Sequence, residues 1–122
     1  MIILAPIITA LIAVESQGNA LLIGDGGEAY GILQIHPCVI EDVNRVYHTS
    51  YRLDDRKDDA ASIKICELYL GYWGTRYEER THKSATPEVL ARIWNGGPNG
   101  WRKESTRAYW AKVEKETAKE SK

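Results

Sequence analysis

The sequence predicts an all-α domain with room for one small irregular β-hairpin. Three observations predict it. Apolar residues recur at helical spacing in successive stretches, prolines and capping residues stand at their starts with glycines at several ends, and no convincing long strand pattern occurs. A chain of 122 residues is long enough to bury one core and short for two, so a single domain over 1–122 is expected.

The first helix is predicted from about Pro6 to Gln17. Pro6 suits a first helical position, Ile7, Ile8, Leu11, Ile12 and Val14 surround the axis, and Gly18 supplies a stop. The apolar run from Met1 to Val14 lacks a positively charged start and a clear cleavage site, and it is too short to span a bilayer. It is therefore read as part of the fold, without a convincing signal peptide or integral membrane segment. Between Gly24 and Gly31 four glycines and Asp25 make a turn-rich loop or short hairpin. Pro37 then opens a helix with Val39, Ile40, Val43 and Val46 inward. Asp58 or Asp59 caps a long helix carrying Ile63, Ile65, Cys66, Leu68, Tyr69, Leu70, Tyr72 and Trp73. Thr86-Pro87-Glu88 starts another helix that should stop at Gly96-Gly97-Pro98. The last begins near Ser105 with Tyr109, Trp110 and Val113 inward, and residues 114–122 read as a charged, fraying tail.

Composition narrows the function classes. A net charge of −1 speaks against nucleic acid or an anionic membrane surface as partner. The mixed-sign stretch from Arg52 to Asp59 reads as a solvated loop or helix entrance. Phe is absent, so four Trp and seven Tyr carry the aromatic surface, which suits amphipathic ring walls and core packing alike. Cys38 and Cys66 lack zinc-site spacing, and whether they pair stays open; His36, His48 and His82 form no ligand cluster, so no metal or cofactor is expected. His36 reads as a helix-entry residue.

Glu15 is the candidate for chemistry. A carboxylate at the end of a greasy helix is costly to ionise, because burial and the negative helix end both favour its protonated form. A Glu kept protonated near neutral pH is what general-acid cleavage of a glycosidic bond needs. An ordinary exposed helix terminus explains the same residue equally well.

Four words in order shift that balance: Glu15-Ser16-Gln17-Gly18-Asn19, Ala29-Tyr30-Gly31-Ile32-Leu33-Gln34-Ile35-His36-Pro37, Ala91-Arg92-Ile93-Trp94-Asn95-Gly96-Gly97-Pro98, and Thr106-Arg107-Ala108-Tyr109-Trp110-Ala111-Lys112-Val113. Together they resemble the soluble lytic transglycosylase and goose-type lysozyme superfamily over nearly the whole chain, and the last two are also similar to words of invertebrate-type lysozymes. The resemblance implies a lysozyme-like fold and a muramidase, a lytic transglycosylase or lysozyme-type hydrolase, that breaks the β-1,4 bond between N-acetylmuramic acid and N-acetylglucosamine. It implies Glu15 as catalytic acid/base, Gln34 beside the cleft bonding substrate or holding the loop, and Asn95 as the asparagine of the family's Tyr-Asn-x-Gly word, with Trp94 where Tyr is usual. Tyr109 matches a tyrosine that orients the catalytic carboxyl.

Tyr30, Trp94 and Trp101 are candidates for stacking on sugars because each lies in or beside a motif loop. A second carboxylate would separate hydrolysis from transglycosylation, and the candidates are Asp25 and Glu28; Asp25 falls about a residue from the second acid of invertebrate-type lysozymes. The expected partner is the peptidoglycan strand, met at the cell wall by a monomer. A chitin-type amino-sugar glycosidase and a non-catalytic glycan-binding module on the same fold are the alternatives.

Overall fold

A computed structural model describes residues 4–120. Its described elements run, in chain order, α1 (Ala5–Glu15), β1 (Ile23–Gly24), β2 (Ala29–Tyr30), α2 (Pro37–Tyr47), α3 (Asp59–Thr81), α4 (Pro87–Gly96) and α5 (Arg107–Glu120). Short 3₁₀ turns occupy Asp25–Gly27, Leu53–Lys57, Gly100–Arg102 and Glu104–Thr106. The class is the mostly helical one the sequence predicts, with the small hairpin in place. Two compact units divide the chain: Glu15–Tyr69, and the residues up to Val14 combined with those from Leu70 onward.

In the first unit the hairpin is antiparallel, with Ile23 opposite Tyr30 and Gly24 opposite Ala29. Each strand is only two residues long, so the ladder satisfies few backbone groups. A further bridge between Tyr30 and Ile35 closes the turn that follows. His36 sits in extended conformation as the N-cap of α2 and Pro37 follows at the first helical position, where it lacks no needed donor. Ile40 and Val43 are the buried residues of α2, while Val39 and Val46 are half-buried. The Tyr47 hydroxyl donates to the Leu68 carbonyl at 3.0 Å, tying the end of α2 to α3. Asp58 caps α3, its carboxylate accepting from the Ala61 N–H at 2.8 Å. Ala29, Ile32, Leu33, Ile35, Ile65, Cys66 and Tyr69 are this unit's other buried apolar residues.

In the second unit Ile7, Ile8, Ala10 and Leu11 are the buried residues of α1. The helix ends at Glu15, two residues before the predicted end at Gln17. Thr86 caps α4 by accepting from the Val89 N–H at 3.2 Å. α4 packs on α5 and on the two 3₁₀ turns between them, burying Leu90, Ala91, Ile93 and Val113. The start predicted near Ser105 is a 3₁₀ turn, and α5 proper begins at Arg107. The stretch from Glu114 predicted to fray continues the helix to Glu120. Thr117 bonds back to the Val113 carbonyl at 3.0 Å and Lys119 pairs with Glu116 at 3.1 Å, local contacts that the periodicity of charged residues conceals. Ser121 and Lys122 of that tail, and the start of the apolar N-terminal run, lie outside the described residues. No helix among the described residues is long and apolar enough to cross a membrane.

Candidate functional site

Glu15 closes α1 as a half-buried residue. The next residue fixes where the chain goes: the buried Ser16 hydroxyl donates to the Ile32 carbonyl at 2.7 Å and accepts from the Gly18 N–H at 3.0 Å. The helix end is thereby fastened to the turn after the hairpin. The Glu15 carboxylate also acts on Cys66 of α3. Burial pushes that thiol well above its usual range, and the negative charges of Glu15 and then Glu67 push it further. Cys38 is exposed and Cys66 buried, and both are free thiols, which answers the pairing question left open by sequence.

Gln34 has a left-handed backbone at φ 49°, unusual for a residue with a long side chain. Its amide Nε2 donates to the Leu22 and Gly31 carbonyls, both at 3.0 Å, so both N–H groups hold the loop. Of the two roles open to Gln34, the geometry shows the loop-holding one.

The hairpin has a second fastening that the sequence reading missed. Arg56 lies inside the stretch read as solvated, yet it is only 6% exposed. Its Nη1 donates to the Glu28 carbonyl at 2.7 Å and the Ile35 carbonyl at 3.0 Å, and its Nε to Leu53 at 2.9 Å. The guanidinium also lies over the Tyr30 ring, 4.3 Å from its centre. One face of Tyr30 is thus covered, which limits stacking on a sugar to what the other face and the edge offer. Gly31 completes the lock: its φ is 83°, and a Cβ there would strike the Arg56 carbonyl oxygen.

Asp25 stands at the tip of the hairpin, also left-handed at φ 48°. Its Oδ2 is 2.8 Å from His36 Nε2, with the side chains 69% and 42% exposed respectively. His36 is therefore a helix-entry residue, as expected, and also the partner of the second-acid candidate. Nothing in the sequence separation of eleven residues signals that contact.

The second unit holds the other motif words. Asn95 is exposed at the end of α4 and Trp94 half-buried beside it. Buried Arg92 braces this corner: Nε donates to the Thr106 hydroxyl, Nη1 to Glu88 and Nη2 to the Lys103 carbonyl, each at 2.8 Å. The Thr106 hydroxyl in turn donates to the Gly100 carbonyl at 2.7 Å. A Cβ on Gly100 would overlap the Arg92 carbonyl oxygen, so only glycine permits that backbone approach. Trp101 is half-buried, with Tyr77 edge-on at 5.0 Å and the Arg102 guanidinium at 5.3 Å. Tyr109 is half-buried on α5. Arg92 and Thr106 appear within the motif words, but their bracing role could be signalled only by the Glu88/Arg92 spacing of four. Among the described residues no group of three His, Cys, Asp or Glu is placed to hold a metal ion.

The sequence profile of the family described as Transglycosylase SLT domain matches residues 3–117. The chain belongs to that family. A 55-residue stretch of this SLT domain, 45% of the chain, is 38% identical to "Lysozyme 1" of Crassostrea virginica, and the match spans 28% of that protein's length. Its fold is similar to that of a chain in the crystal structure of Aeromonas hydrophila PliI in complex with Meretrix lusoria lysozyme. The TM-score is 0.73 at 24% identity, covering 91% of this chain and 88% of that one. The SLT domain here thus has a lysozyme-like, mostly α fold.

Proposed function

We propose that the chain is a muramidase that breaks the β-1,4 bond between N-acetylmuramic acid and N-acetylglucosamine in peptidoglycan, with Glu15 as the proton donor. The observation that carries this reading is the family match over residues 3–117, which includes Glu15 at the end of apolar α1. Ser16, bonded to Ile32, supports it by fixing the direction in which the helix end presents the acid.

Glu15 gives its proton to the oxygen leaving C1 of the muramyl sugar. The vacated C1 is then closed either by water, leaving a reducing end, or by the sugar's own C6 hydroxyl, leaving a 1,6-anhydro ring; in both cases one proton returns to a base. Gln34 and Arg56 act by holding the hairpin, and the open side of Tyr30 is a candidate sugar contact. Trp94, Asn95, Trp101 and Tyr109 are the candidate glycan contacts of the other unit.

Turbidity of a cell-wall suspension tests the reading. The parent should clear it and Glu15→Gln should not; equal clearing by both refutes the acid role. Cleavage of chitin oligomers in preference to wall fragments would move the substrate to the chitin class, and saccharide binding without any bond cleavage would make the chain a binding module.

A further inference from the structure

We infer that Arg56 Nη2, at the surface beside Tyr30, is a subsite for a carboxylate carried on the glycan arm that sets muramic acid apart from glucosamine. The inference rests on the reading of the chain as a muramidase and names the feature of the substrate that this loop reads.

Arg56 and Arg92 are the buried arginines among the described residues, and they are served differently. Each guanidinium nitrogen of Arg92 has an acceptor at 2.8 Å, and one acceptor, the Glu88 carboxylate, balances its charge. Arg56 has no such balance. Its Nε and Nη1 donate to three carbonyls and its plane lies over the Tyr30 ring, yet none of these groups is an anion. No carboxylate among the described residues pairs with it. Of the neighbouring acids, Asp54 takes Lys57, Asp55 accepts from the Arg52 N–H and Asp58 caps α3. Glu28 serves Arg56 through its backbone carbonyl.

Arg56 Nη2 has no hydrogen-bond partner among the described residues. No buried side-chain nitrogen or oxygen among those residues lacks a partner, so Nη2 reaches the surface. A cation only 6% exposed is thus held by neutral acceptors, with the two N–H groups of one nitrogen turned outward.

Buried charges are ordinarily paired, and a guanidinium that only donates matches a carboxylate that only accepts. Salt screens so buried a cation weakly. The net charge of −1 gives the chain no general pull on anions, so the attraction is local to this corner. Tyr30 supplies the other half of the subsite, being half-buried with one face under the guanidinium and its other side left for a sugar ring. In peptidoglycan, muramic acid bears a lactyl arm whose carboxyl is either free or joined to a peptide with carboxylates of its own; a polymer of N-acetylglucosamine bears neither. A ring contact beside a carboxylate site therefore reads the muramyl sugar by its acid. Holding the hairpin and reading the acid use different nitrogens of one side chain.

The test compares three preparations of wall glycan: strands with stem peptides kept, strands with stems removed and the lactyl carboxylate free, and the latter with their carboxyls reduced to alcohols. For the parent, KM on an acidic form should be lower than on reduced strands by about 10-fold or more. A preference for the free lactyl form makes the lactyl carboxylate the ligand, and a preference confined to the stem-bearing form makes it a peptide carboxylate. Arg56→Met, assayed at a temperature where circular dichroism shows it folded, should lose the preference; an arginine that only held the hairpin would weaken all three forms alike and keep it. A titration that needs neither cleavage nor a variant follows the Arg56 Nε–H resonance of the parent. N-acetylmuramic acid or a muramyl peptide should shift it, and N-acetylglucosamine should not.

Equal KM of the parent on acidic and reduced strands would overturn the inference while leaving the muramidase reading in place. So would a preference that survives in folded Arg56→Met, or an Arg56 resonance that answers all three sugars alike or none. If no strand is cut, the muramidase reading itself fails, and the titration still decides whether Arg56 takes a carboxylate.

Discussion

Replacing Arg56 with Met removes the guanidinium and keeps most of the stem's packing volume, so the change isolates the polar lock on the hairpin. Three backbone bonds at 2.7, 2.9 and 3.0 Å and one contact with the Tyr30 ring are lost. Their loss is partly relieved. Leu53 and Glu28 are exposed, so their carbonyls turn to water, and the Ile35 carbonyl keeps the Tyr30 N–H at 3.3 Å. What remains is the net worth of charged hydrogen bonds plus a cation–π contact, about 3 kcal/mol together. Unfolding entropy near 2.1 cal/mol/K per residue gives about 0.26 kcal/mol per degree for 122 residues, hence a Tm lower by about 12 °C. Thermal unfolding followed by circular dichroism measures it, and hydrogen exchange at the Tyr30 and Ile35 amides locates it. Arg56→Lys should rescue little, because a lone ammonium cannot donate to Leu53 from the Nε position while also reaching the Glu28 and Ile35 carbonyls that Nη1 serves. A Tm within about 3 °C of the parent, with both amides still protected, would refute the assignment of Arg56 as the hairpin lock.

Glu15→Gln should lower turnover by about 100-fold or more at unchanged Tm, read from turbidity and thermal melts. Gly100→Ala should cost about 2 kcal/mol or more in denaturant unfolding, since its Cβ meets the Arg92 carbonyl and neither backbone can yield alone. Iodoacetamide should modify exposed Cys38 rapidly and buried Cys66 only after unfolding, as mass spectrometry of timed samples would record. In alkali the sign follows from Cys66: burial, then Glu15, then Glu67 raise its pKa in the folded state. The unfolded chain therefore releases the proton first, and stability present below about pH 8.5 declines above it. Urea midpoints across pH 8 to 10 should show that decline, with a shallower slope in Cys66→Ala.

The helices were legible because their starts are written in single residues. Thr86 and Pro87 open α4, His36 and Pro37 open α2, and Asp58 caps α3, each acting within one turn of its own position. The position of Glu15 at the end of α1 was legible for a related reason, since the helix that carries it and the motif beginning with it are contiguous in the chain. Arg56, Arg92 and the contact between Asp25 and His36 were not, because each reaches across residues that sequence patterns do not align. Arg56 joins Glu28, 28 positions away, and in the sequence it is one charge among several of both signs.

The physical reason a cation is drawn inward at both places is the same. Two-residue strands and 3₁₀ turns leave carbonyls that no regular ladder satisfies, and such carbonyls take donors from elsewhere in the chain. A guanidinium supplies several N–H groups in a fixed plane and accepts nothing, so one side chain can serve carbonyls from separate segments. Arg56 does this for Leu53, Glu28 and Ile35; Arg92, with Thr106, does it for Lys103 and Gly100, and Lys103 Nζ closes the end of α4 by donating to the Gly96 carbonyl at 2.8 Å. An irregular loop rich in glycine should therefore prompt a search for a partnering arginine elsewhere in the chain, even inside a stretch whose charge pattern reads as solvated.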